Sequence, residues 1–255
     1  MITCNLQGGL GNQMFQIAAT HALSLRNNDI CGFNFDRCYT PLQGNPSSKY
    51  KNNIFSKLNE SKDYVFRVGY TEPRFGYEEL PYAPGLVLTG FFQSENYFND
   101  YKNEIKNIFS IDKTNAKIFI DSIKKNGLPV TSIHVRRGDY INLSHMHSLC
   151  SLEYYNEAIN YIGESVFIVV SDDINWVKEN IKGDNLHYSN FKDELDDLAL
   201  MACCDNNIIS NSTFSWWGAY LNENVNKKIV APKIWFGPSG PKDIEDIIPN
   251  NWKKI

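Results

Sequence analysis

The chain opens on a short apolar run over residues 2–6 that reads as a strand and breaks into Gln7-Gly8-Gly9-Leu10-Gly11-Asn12-Gln13. Beyond the glycines, Met14, Phe15, Ile17, Ala18, Ala19, Ala22, Leu23 and Leu25 recur at helical spacing until Asn27-Asn28. Strand, glycine turn and helix form the layout in which amides at a helix N-terminus can hold an anion. Ile30–Phe35 reads as a second strand ending at Asp36. Residues 37–85 show little periodicity and are rich in Asn, Pro, Ser and Tyr, so irregular structure is expected there, as loops over a substrate site. Leu86 to Phe92 is again strand-like and runs into a helix that Ser94 is placed to cap. Helical spacing continues to about residue 110 and resumes across 113–126. Asn126-Gly127-Leu128-Pro129 is a cluster of helix breakers, and the domain boundary is expected there, giving domains 1–127 and 128–255.

The second half alternates more regularly. A strand over 130–136 is followed by a loop carrying His145 and His147, then a helix from Ser151 to Ile162. Val166–Val170 is wholly apolar, as strands of a parallel sheet are. Ser171-Asp172-Asp173 can cap a helix over 174–182, and a helix follows over 192–204. A strand over 207–210 then meets Asn211-Ser212-Thr213-Phe214-Ser215-Trp216-Trp217-Gly218, which opens another helix, and residues 228–235 form a last strand. Strand and helix in alternation imply a parallel, doubly wound α/β sheet, whose ligands bind beyond the carboxyl ends of its strands. The polar clusters of this half all fall at such ends.

Composition narrows the class. A chain of 255 residues can bury a large core, and 42% apolar with 21% charged residues is a globular balance. The net charge of -4 argues against nucleic acid as a partner, which calls for a basic face. No run approaches the roughly 20 apolar residues of a membrane span, and the N-terminus has no signal-peptide pattern. None of the six cysteines (Cys4, Cys31, Cys38, Cys150, Cys203, Cys204) forms a CxxC pair, so reduced thiols in the cytoplasm are the simpler reading. Fourteen Tyr, fifteen Phe and five Trp fill cores, but they also suit stacking on sugar rings.

The stretch that organises the chemistry is Ile133-His134-Val135-Arg136-Arg137-Gly138-Asp139-Tyr140. A buried strand that ends in two arginines, a glycine and an aspartate leaves the core to meet charge, and guanidinium forks suit phosphate. With the hydroxyls of Ser212 and Thr213 and the Gly8–Gly11 turn, the set suits a diphosphate. Asp172-Asp173 and Asp196-Asp197 leave a metal site open, although acidic first turns stabilise helices by themselves. Where no metal acts, arginine must neutralise the leaving group. At an effective dielectric of about 20 and about 4 Å, one charge pair contributes roughly 4 kcal/mol, on the order of a thousandfold in rate when it is felt in the transition state.

Three stretches together resemble the family 11 glycosyltransferases, the α-1,2-fucosyltransferases. They are Gly8 to Gln16, His134 to Tyr140, and Ser210-Asn211-Ser212-Thr213-Phe214-Ser215-Trp216-Trp217, with Gly90-Phe91-Phe92-Gln93-Ser94 and Ile248-Pro249-Asn250-Asn251-Trp252 in support. The resemblance implies inverting, metal-independent transfer of L-fucose from GDP-β-L-fucose to the 2-hydroxyl of a terminal sugar, often galactose. It implies a GT-B-like fold of two Rossmann-type α/β lobes facing a cleft, the C-terminal lobe holding GDP-fucose. In related enzymes the first arginine of HxRR holds the β-phosphate and the histidine lies at the guanine, which maps to Arg136 and His134. An aspartate on the helix before the SNST-like stretch reads guanine, here Asp197, with Asp196 as fallback. Thr213, with the Ser212 and Phe214 amides, would hold the diphosphate, and Gly9, Gly11 and Asn12 would face the fucosyl phosphate. The acceptor would be a glycan, lipid-linked in many bacterial systems, so contact with the inner face of the membrane is compatible with a cytoplasmic chain.

The identity of a base stays open. Residues 141–147, where some relatives carry a glutamate, hold no carboxylate, and Asp139 is the nearest acid, either catalytic or an orienting partner of an arginine. His145 and His147 remain candidates, because histidine as a residue type suits proton transfer near neutral pH, and a dissociative reaction whose leaving phosphate takes the proton needs no base. Two other classes remain open. An NAD(P)-dependent oxidoreductase would use Gly9-Leu10-Gly11 at the pyrophosphate and Asp36 on the ribose, but Met14 stands where the third glycine belongs. A non-catalytic carbohydrate-binding protein would leave Arg136 without a role.

Overall fold

The computed structural model describes residues 1–37, 44–62, 67–109, 111–125, 127–183 and 185–255. Cys38, Asn126 of the breaker cluster and parts of the 37–85 stretch lie outside the described residues. The chain divides into two compact units, Met1–Ile111 with Lys242–Pro249, and Asp112–Pro241 with Asn250–Ile255.

In the first unit β1 (Thr3–Cys4) leads through the glycine turn into α1 (Leu10–Arg26), and β2 (Val68–Thr71) and β3 (Leu86–Thr89) complete a parallel sheet of order β1-β3-β2. α1 buries Met14, Phe15, Ile17, Ala18, Ala19, Ala22 and Leu23, the apolar set read from the sequence. Three expectations change here. Ile30–Phe35 contributes only isolated bridges, Ile2 to Cys31 and Phe33 to Glu60, because its partner is the irregular chain at 59–61 rather than a strand. β2 lies inside the stretch expected to be irregular; Val68, Gly69 and Thr71 are exposed, so this edge strand has no apolar alternation to detect. The helix expected from Ser94 to about 110 is broken. Ser94 does cap, accepting the Asn96 amide, but only a 3-10 turn at Glu95–Tyr97 follows, then another at Asn99–Tyr101, then α2 (Lys102–Ile108). Phe98, at φ -136° and ψ 13°, leaves the helical region and forces the break.

α3 (Thr114–Ile123) packs against a helix of the second unit and belongs with it, so the units part at Ile111/Asp112, ahead of the breaker cluster expected to divide them. The second unit alternates β4 (Val130–Val135), α4 (Leu152–Ile162), β5 (Val166–Ser171), α5 (Ile174–Asn180), β6 (Leu186–Tyr188), α6 (Glu194–Cys203), β7 (Asn206–Ile208), α7 (Thr213–Tyr220), β8 (Ile229–Ala231) and β9 (Lys253–Lys254). Its sheet runs β6-β5-β4-β7-β8-β9 and every pair is parallel. Chain order thus runs outward from β4 to one edge, then returns to the other side of β4, the arrangement of a dinucleotide-binding fold. β6 and β9 escaped the sequence reading because both are short edge strands that are not fully buried.

All six residues of β4 are buried. Ile133, Val169, Ile208 and Val230 of adjacent strands pack with Tyr155 and Ala158 of α4 and Val177 of α5. Each such aliphatic side chain contributes about 1.5–3 kcal/mol on burial, so the sheet centre fixes where the strands end. Trp216, Trp217, Trp235 and Trp252 are buried as well. The tryptophan surplus therefore builds core, and the fifth, Trp176, lies under Arg137.

Candidate active site

β4 and β7 are neighbours whose connections leave to opposite sides, so their carboxyl ends frame a switch point where loops diverge. His134 and Arg136 stand at the end of β4, and Ser210 to Phe214 follow β7. His134 is almost fully buried; its Nδ1 lies 2.8 Å from Ser210 Oγ and its ring 5.8 Å from that of Phe214. Burial, with the Arg136 charge adding, depresses its pKa to about 3, so the imidazole is neutral near pH 7.

Arg136 leaves the sheet between two carboxylates, Nη2 to Asp139 Oδ1 at 2.7 Å and Nη1 to Asp172 Oδ2 at 2.9 Å, with its guanidinium 5.4 Å from the Tyr140 ring. Arg137 turns the other way. Its Nε donates to Asp173 Oδ2 at 3.1 Å and its guanidinium covers Trp176 at 3.9 Å, while its amide donates to Asp172 Oδ1 at 2.9 Å. Gly138 follows the two arginines. Its φ is -14°, and the constraint is space, since a Cβ there would stand 2.6 Å from Asp172 Oδ2.

The far side is equally fixed. Asn211 donates through Nδ2 to the carbonyls of Ser148 and Trp235 at 2.6 and 2.7 Å, and its own carbonyl accepts the Tyr140 hydroxyl at 3.3 Å. Tyr140 stacks on His147 at 4.4 Å, and His147 meets Phe236 at 6.0 Å. Ser212 is the N-cap of α7 and makes no side-chain cap bond there, and Thr213 and Phe214 start the helix, half-buried. The hydroxyls of Ser212 and Thr213 and the positive end of the helix dipole are suited to an anion.

Asp197 lies on the same carboxyl edge, beyond β6. Ser189, which follows β6 and donates its amide to Val169, gives its hydroxyl to Asp197 Oδ1. Burial, reinforced by Asp196, Glu194 and Asp193, pushes this carboxyl up to about 6 despite the Ser189 bond. Asp196 instead accepts from Asn115 of α3 at 3.1 Å. Of the aspartates left open as metal ligands, Asp172 pairs with Arg136, Asp173 with Arg137 and the Trp176 amide, Asp196 with Asn115 and Asp197 with Ser189.

Gly9, Gly11 and Asn12 lie on the first unit. Gly8 has φ +74°, and a Cβ there would meet Asn12 Nδ2 at 2.4 Å. Gly9 is the N-cap of α1 and backs onto Gly44, whose own Cβ would meet Gly9 Cα at 2.6 Å. Gln13 donates to Gly8 O at 2.8 Å, and Gln16 clasps Gln7 through both main-chain groups. Asn12 Oδ1 accepts Gln93 Nε2 at 2.9 Å. Asp36, the ribose ligand of a nicotinamide site, pairs with Lys62.

The switch-point layout places these residues where open parallel sheets bind their ligands. A family model described as Glycosyl transferase family 11 matches residues 1–255. The chain belongs to that family. It is therefore a glycosyltransferase. It is 32% identical to the O-antigen biosynthesis glycosyltransferase WbnK of Escherichia coli, over 92% of this chain and 95% of that one. It is 30% identical to an alpha-1,2-colitosyltransferase of Escherichia coli, over 100% and 99%, and 27% identical to galactoside alpha-(1,2)-fucosyltransferase 2 of Oryctolagus cuniculus, over 87% and 67%. Among solved structures, POFUT1 in complex with GDP superimposes with a TM-score of 0.52 at 14% identity, covering 90% of this chain and 97% of that one. The GT-B-like, two-lobed α/β class is thereby shown.

For this glycosyltransferase the structure joins His134, Arg136, Asp139 and Phe214 through Ser210, Asn211 and Tyr140, and sets Asp197 on the same edge. It keeps Gly9, Gly11 and Asn12 in the other unit. The sequence reading missed two contacts: Asp172 as the second partner of Arg136, and Asn211 as the tie to the carbonyls of Ser148 and Trp235. Among the described residues no helix is long and apolar enough to cross a membrane.

Proposed function

We propose that this glycosyltransferase transfers L-fucose, with inversion, from GDP-β-L-fucose to the 2-hydroxyl of a terminal sugar, galactose first among candidates, forming an α-1,2 linkage. The observation that carries the reading is the switch point between β4 and β7, which joins His134, Arg136 and the Ser212–Phe214 helix start on one edge. Guanine would sit by neutral His134, with the Asp197 carboxylate accepting its ring and amino N–H groups. Arg136 would bind the β-phosphate, exchanging contacts with Asp139 or Asp172, and its charge would grow in value as the leaving group gains charge. Ser212, Thr213 and the Phe214 amide would hold the remaining phosphate oxygens at the start of α7. No metal is required in this scheme, because the guanidinium meets the developing charge directly.

The relatives' names support the linkage, one as a galactoside alpha-(1,2)-fucosyltransferase and one as an alpha-1,2-colitosyltransferase. The match to the latter runs the full chain, so a colitosyl donor, which lacks one hydroxyl of fucose, is the second reading. The O-antigen biosynthesis relative favours a bacterial glycan acceptor, which would be lipid-linked, with the enzyme working at the cytoplasmic face of the membrane.

The test is transfer in EDTA from GDP-fucose and GDP-colitose to β-galactosides, with the product linkage assigned by NMR. An α-1,2-fucosyl product without added metal is expected. Transfer from GDP-colitose alone would replace the donor, and a strict need for a divalent cation would remove the arginine-only account.

A further inference from the structure

His134 is the penultimate residue of β4, and Ser210 stands just beyond β7, the neighbouring strand of the same unit. The histidine is 5% exposed and the serine 0%. His134 Nδ1 lies 2.8 Å from Ser210 Oγ, and neither atom has another hydrogen-bond partner among the described residues. Main-chain bonds fix both sides of this contact. The His134 carbonyl accepts the Tyr155 hydroxyl at 3.3 Å, and the Ser210 carbonyl accepts the Ser212 amide at 2.8 Å. The Phe214 ring faces the imidazole at 5.8 Å.

One arrangement of hydrogens satisfies this pair. The imidazole is buried beside Arg136 and neutral near pH 7, so it carries a single ring proton. With that proton on Nδ1, the ring would donate to Ser210 Oγ and leave the serine hydrogen buried without an acceptor, which is costly. With the proton on Nε2, Nδ1 accepts the Ser210 hydroxyl and both groups are satisfied. Nε2 itself has no hydrogen-bond partner among the described residues, so its N–H remains available to a ligand.

We propose that Ser210 is a positioning residue for base selectivity: it holds His134 in the Nε2–H tautomer, so that the site takes guanine and refuses adenine. The inference rests on the guanine placement under Proposed function. A guanine that gives its ring and amino N–H groups to Asp197 presents the adjoining O6, an acceptor, to the Nε2–H donor. Adenine carries an amino group at that position, which sets donor against donor. Selectivity then comes from a buried group left unpaired by the wrong base, as well as from one satisfied by the right base.

The experiment reads the His134 tautomer by long-range proton–nitrogen NMR of the labelled full chain at about pH 7, with His134→Asn to assign the ring. Wild type should show a protonated Nε2 and an unprotonated Nδ1, with or without GDP. Calorimetry then compares GDP, IDP and ADP on wild type and Ser210→Ala, each checked by its melting temperature. Without the hydroxyl, the ring is free to carry its proton on Nδ1 and to accept the adenine amino group through Nε2. The ratio of GDP to ADP affinity should therefore fall about threefold to tenfold in Ser210→Ala, the worth of one net hydrogen bond. IDP keeps O6 and lacks the amino group that faces Asp197, so its penalty relative to GDP should be equal in the two proteins. A proton on Nδ1 in the wild type overturns the inference, whether or not Ser210→Ala folds. So does an unchanged GDP-to-ADP ratio in folded Ser210→Ala, or a fall that IDP shares, which would leave Ser210 as a packing residue only. A wild type that binds no GDP overturns the guanine placement itself, a result distinct from GDP bound beside the other tautomer.

Discussion

Arg136 and Arg137 are adjacent in sequence and do different work. The Arg136 fork lies partly exposed between Asp139 and Asp172, whereas Arg137 is spread over Trp176 and tied to the cap of α5. Arg136→Ala should lower kcat by about 10³-fold, the value of one charge pair felt in the transition state, with circular dichroism unchanged. Arg137→Ala should remove a cation–π contact and an ion pair, destabilising by roughly 1–2 kcal/mol with a milder loss of turnover. Near-normal turnover in Arg136→Ala would remove it from the phosphate. Asp197 gives a second expectation. Its carboxyl is raised to about 6 by burial, and only the ionised form accepts two guanine N–H groups. GDP affinity should therefore be full above pH 6 and weaken as pH falls through it, and Asp197→Asn should flatten that dependence; a wild-type affinity constant from pH 5 to 7 would refute it.

At the scale of elements, polar ties as well as apolar packing hold the switch point in register. Asn207 of β7 is fully buried; it donates to Ser132 Oγ of β4 and to Met201 O of α6, and accepts from Asn222, each at 2.8 Å. Asn207→Leu keeps the branched shape in a larger side chain and strands those partners, so unfolding in urea should show a loss of roughly 2–4 kcal/mol with an unchanged denaturant slope. A loss under about 0.5 kcal/mol, ordinary for a surface change, would mean that the network is dispensable. The same logic explains which elements could be read from sequence. Central strands such as β4 and β5 are buried along nearly their whole length and stand out as apolar runs. β2, β6 and β9 lie at or near sheet edges, where half their positions or more meet solvent and leave no pattern. The helix expected after Ser94 had a sound cap and sound spacing, but Phe98 follows its own packing and breaks the run. His134–Tyr140 and Ser210–Trp217 stand out as contiguous motifs, whereas Asp172 meets Arg136 only through the fold, from a position distant in sequence.

Across the whole molecule, the two units divide the motifs. The second unit carries the HxRRGD and SNST stretches on one edge of a six-stranded parallel sheet, and the first carries the glycine turn on the edge of a three-stranded one. The division could be read from the βαβα rhythm, but its boundary could not: α3 packs on α6, a tertiary preference that no local breaker announces. The central claim is that the β4–β7 switch point binds GDP through Arg136 without a metal. The direct measurement is isothermal titration of GDP into the protein in EDTA, with NADH as control and Arg136→Ala alongside. One GDP should bind per chain and NADH should not, while Arg136→Ala should weaken GDP by at least about tenfold, the loss of one charge-assisted contact of roughly 1.4 kcal/mol or more. Binding of NADH, no binding of GDP, or full GDP affinity in Arg136→Ala would contradict it.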